Sequence, residues 1–392
     1  MRILIDATTA REGGTVTYLL NMLPALLRRG GQHQYDVLLS SVYQEELANE
    51  LPEGIISINR RVPVHPLLRF MYLQILVPRL LRNRKIDLLY SVSEVSTPFT
   101  STPRIVMVHN LNIYAPLKTF PTLAQRWQLA RYRITRQPLA YLTMMRANRL
   151  VFVSDSFRRS LTSRRPISRE KSRVIHHGVN PRFNATGCDH DIHPITGAHP
   201  YVLTVLSISR HKNIETLLGA FSKLVVQIAG NGATEGLELI VAGPSVEHSV
   251  YRSLVSLVHG LGIDGRVHFL GRVAHDQLAA LYRGAALFVL PSRLETFGLP
   301  LVEAMACGAP VVTSDLPICR EICEDAALYF AAEDLNDLAS HMQTTLEDSD
   351  LAQRMIERGL RRAADFSWNE AARKLVDVFE DVVPSPHHLH EA

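Results

Sequence analysis

Apolar residues in this chain come in two kinds of run that take turns along it. Arg2-Ile3-Leu4-Ile5-Asp6 is a short apolar stretch, followed by a loop holding Gly13-Gly14 and then by apolar residues at helical spacing from Val16 to Leu27. That order predicts strand, loop, helix. Tyr35 to Leu39, Ile86 to Ser91, Arg104 to His109 and Leu150 to Val153 read as further strands. Several of them precede helical segments, and such alternation of strand and helix indicates a parallel sheet covered by helices on both faces. From Gly178 to Pro200 periodicity is lost among Gly, Pro, Asn, Asp and His, which marks an inter-domain connection. A second series follows, with strands expected at Tyr201 to Leu206, Leu237 to Ala242, Val267 to Leu270, Ala286 to Leu290 and Pro310 to Thr313. Ser367-Trp368-Asn369-Glu370 has the spacing of a capped helix start. The pattern predicts an α/β chain of two doubly wound, Rossmann-like domains facing across a cleft, where such sheets hold ligands. The expected divisions are 1–180, a linker at 181–199, 200–365, a final helix at 366–384 and a frayed tail at 385–392.

Composition narrows the class. With 392 residues, 46% of them hydrophobic and 20% charged, the chain can bury two cores. Cys188, Cys307, Cys319 and Cys323 are too few for a disulfide framework and lack the paired spacing of a structural zinc site. Cys319 and Cys323 are expected as buried neighbours on one helix face. No apolar run approaches the roughly 18 residues of a spanning helix, and the N-terminus opens on a strand instead of a leader, so a cytoplasmic protein is expected. Charge is split unevenly. Residues 1–180 hold 26 Lys and Arg against 11 Asp and Glu, the remainder 16 against 27, and Val95 to Ser154 holds no acidic residue. Such a split implies that the first domain faces something anionic. In His65 to Lys85 and in Gln125 to Arg149, arginines are interleaved with large apolar residues. These stretches are expected to lie on an anionic membrane face. A nucleic-acid-binding module is the competing explanation, but no motif of that class is present and no nucleic-acid partner is expected.

The most informative segment runs from Pro291 to Pro310. Glu295 and Glu303 lie seven intervening residues apart, the first in a loop after a strand, the second inside the next helix. Backbone N–H groups of Phe297, Gly298 and Leu299 would face outward from that helix start, where partial positive charge favours phosphate. Gly298 lets a ligand approach the backbone closely. Asp348-Ser349-Asp350 has the look of a metal-binding motif, yet its polar surroundings predict a helix cap. The histidines from His190 to His199 sit in the linker. No metal and no cofactor are expected.

The Pro291 to Pro310 segment resembles the E-x7-E motif of the retaining GT-B glycosyltransferases of family GT4, including its Phe-Gly-Leu-Pro and Glu-Ala-Met-Ala flanks. Gly13-Gly14, His109, Ser154 to Ser160, Val174 to Asn180 and Arg210-His211-Lys212-Asn213 resemble further segments of that family, so the resemblance covers nearly the whole chain. Two positions depart from it: Asn110 stands where related members often have Asp, and Ser207 where many place an arginine. The resemblance implies transfer of a hexose from a nucleotide-sugar, GDP-mannose or a UDP-hexose, to a saccharide or lipid-linked acceptor with retention, in bacterial surface polysaccharide synthesis. It assigns Lys212 and Arg210 to the donor diphosphate, Gly13 and Gly14 to the same group, Glu303 to the ribose hydroxyls, Glu295 to the donor sugar, and His109 to the donor sugar or its phosphate. A nucleotide-sugar epimerase on the same fold is the nearest enzymatic alternative.

Overall fold

Strands covered on both faces are expected to be mostly apolar, and those of this protein are, although the buried hydroxyls of Ser91, Thr204 and Ser314 have no hydrogen-bond partner among the described residues. The structure, a computed structural model, describes residues 1–10, 13–41, 45–110, 123–163, 167–187, 199–227 and 236–383. Two compact units are present, one formed by Met1–Gly178 with the described residues from Ser367 onward, the other by Val179–Phe366. In the first, strands β1 (Arg2–Asp6), β2 (Gln34–Ser40), β3 (Ile55–Arg60), β4 (Leu88–Ser91), β5 (Arg104–Val108), β6 (Arg149–Phe152) and β7 (Ser172–Val174) form one parallel sheet. Its order is β3-β2-β1-β4-β5-β6-β7. Ile3 on β1 lies opposite Tyr35 on one side and Leu88 on the other. Helices α1 (Gly14–Arg29), α2 (Glu45–Asn49), α3 (Pro66–Asn83), α4 (Leu123–Arg146) and α5 (Asp155–Thr162) connect the strands. Leu73, Val77, Leu80 and Leu81 of α3 pack with Leu4 and Leu38 of the sheet. Met144 of α4 packs with Val106, Phe152 and Phe157.

The second unit repeats the plan. Strands β8 (Tyr201–Val205), β9 (Glu238–Ala242), β10 (Val267–Gly271), β11 (Leu287–Leu290), β12 (Val311–Ser314) and β13 (Ala327–Phe330) run parallel in the order β10-β9-β8-β11-β12-β13. Its helices are α6 (Ile214–Gln227), α7 (His248–Gly260), α8 (His275–Gly284), α9 (Leu299–Ala306), α10 (Pro317–Cys323), α11 (Leu335–Glu347) and α12 (Ser349–Ala363). Asp348 accepts the Leu351 N–H at 2.8 Å and so caps α12, the role its polar turn predicts. Cys319 and Cys323 are both buried on α10. In each sheet the strand order reverses once, between β1 and β4 and between β8 and β11. Loops leaving the carboxyl ends of those strands therefore border a crevice, the place where open α/β sheets bind ligands.

The last helix, α13 (Trp368–Val382), belongs to the first unit although it follows the second in sequence. Ser367 Oγ accepts the Glu370 N–H at 3.4 Å, the expected cap. Trp368, Leu375 and Phe379 are buried; the Trp368 ring stacks on His177 at 5.4 Å and Phe379 meets Tyr90 edge-on at 5.5 Å. Gly178 makes this passage possible, since a Cβ there would stand 2.1 Å from the Trp368 nitrogen. Three strands escape the sequence pattern. On β3 only Ile58 is buried, as suits an edge strand, and β7 has three residues, while β13, at the other sheet's edge, is an apolar strand that was not among those expected. The expected linker falls largely on residues 188–198, with Cys188, His190 and His193, and the expected tail on 385–392; both stretches lie outside the described residues.

Candidate functional site

In the second unit the loops after β8 and β11 are knitted into one surface at the switch point. The chain leaves β8 into a tight turn at Arg210–Lys212, which ends on Asn213 in the left-handed conformation, φ 57°. Asparagine is among the few non-glycine residues that adopt it readily. Asn213 is also fully buried, and its amide donates to the Pro291 carbonyl at 3.0 Å and to the Ala332 carbonyl at 2.6 Å. Its side-chain oxygen accepts the Thr216 hydroxyl at 2.8 Å. From the other loop the Arg293 N–H donates to the His211 carbonyl at 2.8 Å. The Arg293 guanidinium reaches the Arg210 carbonyl at 3.1 Å while pairing with Glu215 and Glu333. This lacing brings Lys212 Nζ to 2.5 Å from Glu295 Oε1, which also accepts the Ser292 hydroxyl at 2.8 Å. The pair is largely withdrawn from water, with side-chain exposures of 15% and 11%.

Arg210 goes elsewhere. Its guanidinium lies 3.5 Å from Glu247 and is 42% exposed. A turn with three residues per revolution points residues 210 and 212 about 120° apart, so they do not share a face. His211 is held neutral, its imidazole pushed down to about 4 by burial and then by the neighbouring Lys212 charge.

Helix α9 begins at Gly298, whose φ of 86° favours glycine. A Cβ there would also press Leu301 Cδ1 at 2.9 Å. The Phe297 side chain is buried against Phe366, so this residue can offer a ligand only its backbone. Pro300 has no N–H, and the Leu301 N–H donates to the Gly298 carbonyl. The amides of Phe297, Gly298 and Leu299 are thus the ones placed ahead of the helix dipole. One turn on, Glu303 is buried and accepts the Tyr282 hydroxyl at 3.0 Å on Oε2. Burial raises its carboxyl to about 7, against a smaller opposing effect of Tyr282. The second unit therefore brings Lys212 and Glu295 together at the ends of β8 and β11, with the α9 start four residues on and Glu303 one turn inside that helix, held by Tyr282.

In the first unit Gly13 caps α1 with φ 67°. A Cβ on Gly13 or Gly14 would meet nothing within 4 Å, so packing does not explain Gly14; open backbone is left there for a ligand to approach. His109 follows the last residue of β5 and is partly exposed. Its N–H and that of Asn110 both donate to Glu94 Oε1, at 2.7 and 2.6 Å. Behind it His177 is buried among Tyr18 and Trp368 and stays neutral, pushed down to about 3 by burial first and then by His109 and His176. Glu94 was not anticipated, and Ser292, Arg293 and Asn213, though inside the segments singled out in the sequence, had no role assigned there. Each is a single polar residue in a loop, and its only signal is a polar side chain beside a motif.

A family model described as Glycosyltransferase Family 4 matches residues 12–183, and one described as Glycosyl transferases group 1 matches residues 189–362. The O-antigen chain mannosyltransferase B of Escherichia coli is 31% identical over 185 residues, 46% of this chain and 45% of that relative. Mannosylfructose-phosphate synthase of Agrobacterium fabrum is 33% identical over 185 residues, 46% of this chain and 40% of the relative. The chain thus spans under half the length of these curated relatives. Among solved structures, Anabaena Alr3699/HepE in complex with UDP and glucose superposes with a TM-score of 0.76 at 18% identity, covering 97% of this chain and 100% of that one. WaaG, a glycosyltransferase involved in lipopolysaccharide biosynthesis, gives 0.73 at 17% identity over 98% of this chain and 100% of that one. Two abutting family matches on two parallel-sheet units of this topology place the chain among the GT-B glycosyltransferases of family 4, group 1.

Proposed function

We propose that this protein transfers a hexose from a nucleotide-sugar to a saccharide or lipid-linked saccharide acceptor, with retention, in the assembly of a bacterial surface polysaccharide. The observation that carries the proposal is the Lys212–Glu295 pair at the switch point, beside a helix start and the buried Glu303. Breaking the bond between sugar and diphosphate builds negative charge on the leaving group and positive charge on the anomeric carbon. Lys212 and the amides of Phe297 to Leu299 stabilise the former, in the preorganised manner that supplies the largest catalytic contribution in many enzymes. Once Lys212 turns to the phosphates, Glu295 is released to accept sugar hydroxyls. Glu303 accepts from the ribose. Gly13, Gly14 and His109 are the first unit's contribution, the glycines to the diphosphate and His109 to the sugar. Arg210, held by Glu247, has the weaker claim on phosphate. Relatives named for mannosyl transfer and the HepE structure with UDP and glucose support GDP-mannose or a UDP-hexose as donor. Calorimetric titration tests the site: GDP or UDP should bind at least about tenfold more tightly than GMP or UMP, one charge-assisted contact being worth about 1.5–3 kcal/mol. Excess EDTA should leave that difference intact. Equal affinity for mono- and diphosphates would sink the assignment of Lys212.

The proposed acceptor side includes an anionic bilayer. Apolar residues of α3 divide between two faces: Leu73, Val77, Leu80 and Leu81 are core, whereas Leu68, Met71 and Ile75 are 57%, 64% and 56% exposed. Those three lie on one helical face, continued by exposed Arg79 and Arg82. On α4, Trp127, Ile134 and Met145 repeat the pattern. Gly54 to Ile86 and Val95 to Ser154 hold no acidic residue, which matches lipid anions, each basic residue near such a surface contributing about 1 kcal/mol. Among the described residues no helix is long and apolar enough to cross a membrane. Co-sedimentation should rise with the phosphatidylglycerol content of vesicles, fall with salt, and be lost in Met71→Glu/Ile75→Glu. Equal partitioning onto neutral and anionic vesicles, or none onto either, would contradict this contact.

A further inference from the structure

We infer that Glu94 is the positioning residue for His109, an inference that rests on the role proposed for His109 above. Strand β5 pairs with β6 only as far as Val108 opposite Phe152, so His109 and Asn110 are the first residues beyond the ladder. The sheet no longer supplies acceptors for their N–H groups. Glu94 does so with a single oxygen, Oε1, at 2.7 and 2.6 Å. Bonds from N–H groups to an ionised carboxylate are shorter and roughly twice as strong as neutral ones. Two of them on consecutive residues fix the direction in which the His109 side chain leaves the sheet.

The loop that carries Glu94 is itself tied down. The Ser96 hydroxyl donates to Asp6 at 2.7 Å, and the Thr97 hydroxyl to Gln74 Oε1 at 2.6 Å. Arg104 donates to the Thr97 and Thr100 carbonyls at 3.1 and 2.5 Å. The Glu94 carboxylate is completely buried, and its second oxygen, Oε2, has no hydrogen-bond partner among the described residues. A buried charge with one oxygen unsatisfied is a cost to the fold. The benefit that offsets it is the fixed backbone at 109–110, where β5 ends one strand away from the β1/β4 switch point.

The test compares Glu94→Ala, Glu94→Gln, His109→Ala and the double variant Glu94→Ala/His109→Ala in the full chain, with GDP-mannose and UDP-glucose as donor probes. Glu94→Ala should lower kcat by about 100-fold with KM and GDP or UDP affinity within about twofold, the signature of an interaction used only in the transition state. Glu94→Gln keeps an acceptor oxygen and should stay within about tenfold of the parent. Hydrogen exchange at amides 109 and 110 should accelerate in the alanine variant and not in the glutamine one, a readout independent of the donor. In the His109→Ala background Glu94→Ala should have no further effect on kcat, because the two act as one unit. A folded Glu94→Ala with kcat within about threefold of the parent, or kcat losses that simply multiply in the double variant, would overturn the inference. Turnover surviving in His109→Ala alone would instead overturn the role of His109.

Discussion

Replacing Lys212 by alanine lowers the affinity for a nucleoside diphosphate by about 10- to 100-fold, the worth of one charge-assisted hydrogen bond. The same change destabilises the unliganded protein. Glu295, 11% exposed and bonded to Lys212 at 2.5 Å, would keep, among the described residues, the Ser292 hydroxyl alone as a partner. Stranding a partly buried carboxylate costs on the order of 1–3 kcal/mol, less than the roughly 3–5 kcal/mol of a wholly buried pair. These two effects separate in a double variant. Lys212→Ala/Glu295→Ala should recover most of the lost stability, since no charge is left alone, and recover none of the diphosphate affinity. Thermal melting and calorimetry on the three variants read both. If the double variant regained affinity, Lys212 would be serving Glu295 and not the ligand.

Glu303→Gln is expected to stabilise the unliganded protein at pH 8 while weakening donor binding. Burial raises the Glu303 carboxyl to about 7, above its ordinary value of 4.5. A carboxyl raised in the folded state favours folding where it is protonated in both states, below about 4.5, and loses that contribution as pH rises to about 7. Above that window the ionised form opposes folding by about 3 kcal/mol, since each pH unit between the two values is worth about 1.36 kcal/mol. Glutamine removes the charge and keeps an acceptor for the Tyr282 hydroxyl at 3.0 Å. Donor affinity should fall about tenfold in the variant, an ionised acceptor being the stronger partner of a ribose hydroxyl. In the parent protein affinity should decline as pH drops below about 7, whereas the variant should show no such step. Denaturant midpoints against pH and titrations at pH 6 and 8 check the pair of effects. A variant no more stable than the parent at pH 8 would show that Glu303 is not a strained acid.

Buried parallel strands were legible because apolar residues dominate them, with polar ones mostly at their ends: β1, β5, β8 and β11 lie within a residue or two of the runs that announce them. The edge strand β3, with only Ile58 buried, and the three-residue β7 offer no such run, whereas the edge strand β13 lies in the apolar stretch Ala326 to Ala332 and was legible but not singled out. Helix α13 was legible as a helix through its Ser367 cap, but its seat beside His177 and Tyr90 depends on contacts between residues far apart in sequence. The same limit governs the site. Lys212 and Glu295 could be singled out from their segments, whereas their contact depends on Asn213 and Arg293, which tie one loop to the other. Arg210 shows the reverse. It sits two residues from Lys212 in sequence, yet the tight turn points it to Glu247.

Product analysis bears most directly on the central claim. The full chain is incubated with GDP-mannose and UDP-hexoses and a panel of saccharide and lipid-linked acceptors, and products are followed by mass spectrometry and by the proton NMR signal of the anomeric centre. Sugar transfer predicts release of nucleoside diphosphate in step with a new glycosidic bond of the donor's own anomeric configuration, abolished in Lys212→Ala/Glu295→Ala. Recovery of the nucleotide-sugar as its epimer with no glycosidic bond formed, or a product of inverted configuration, would contradict it.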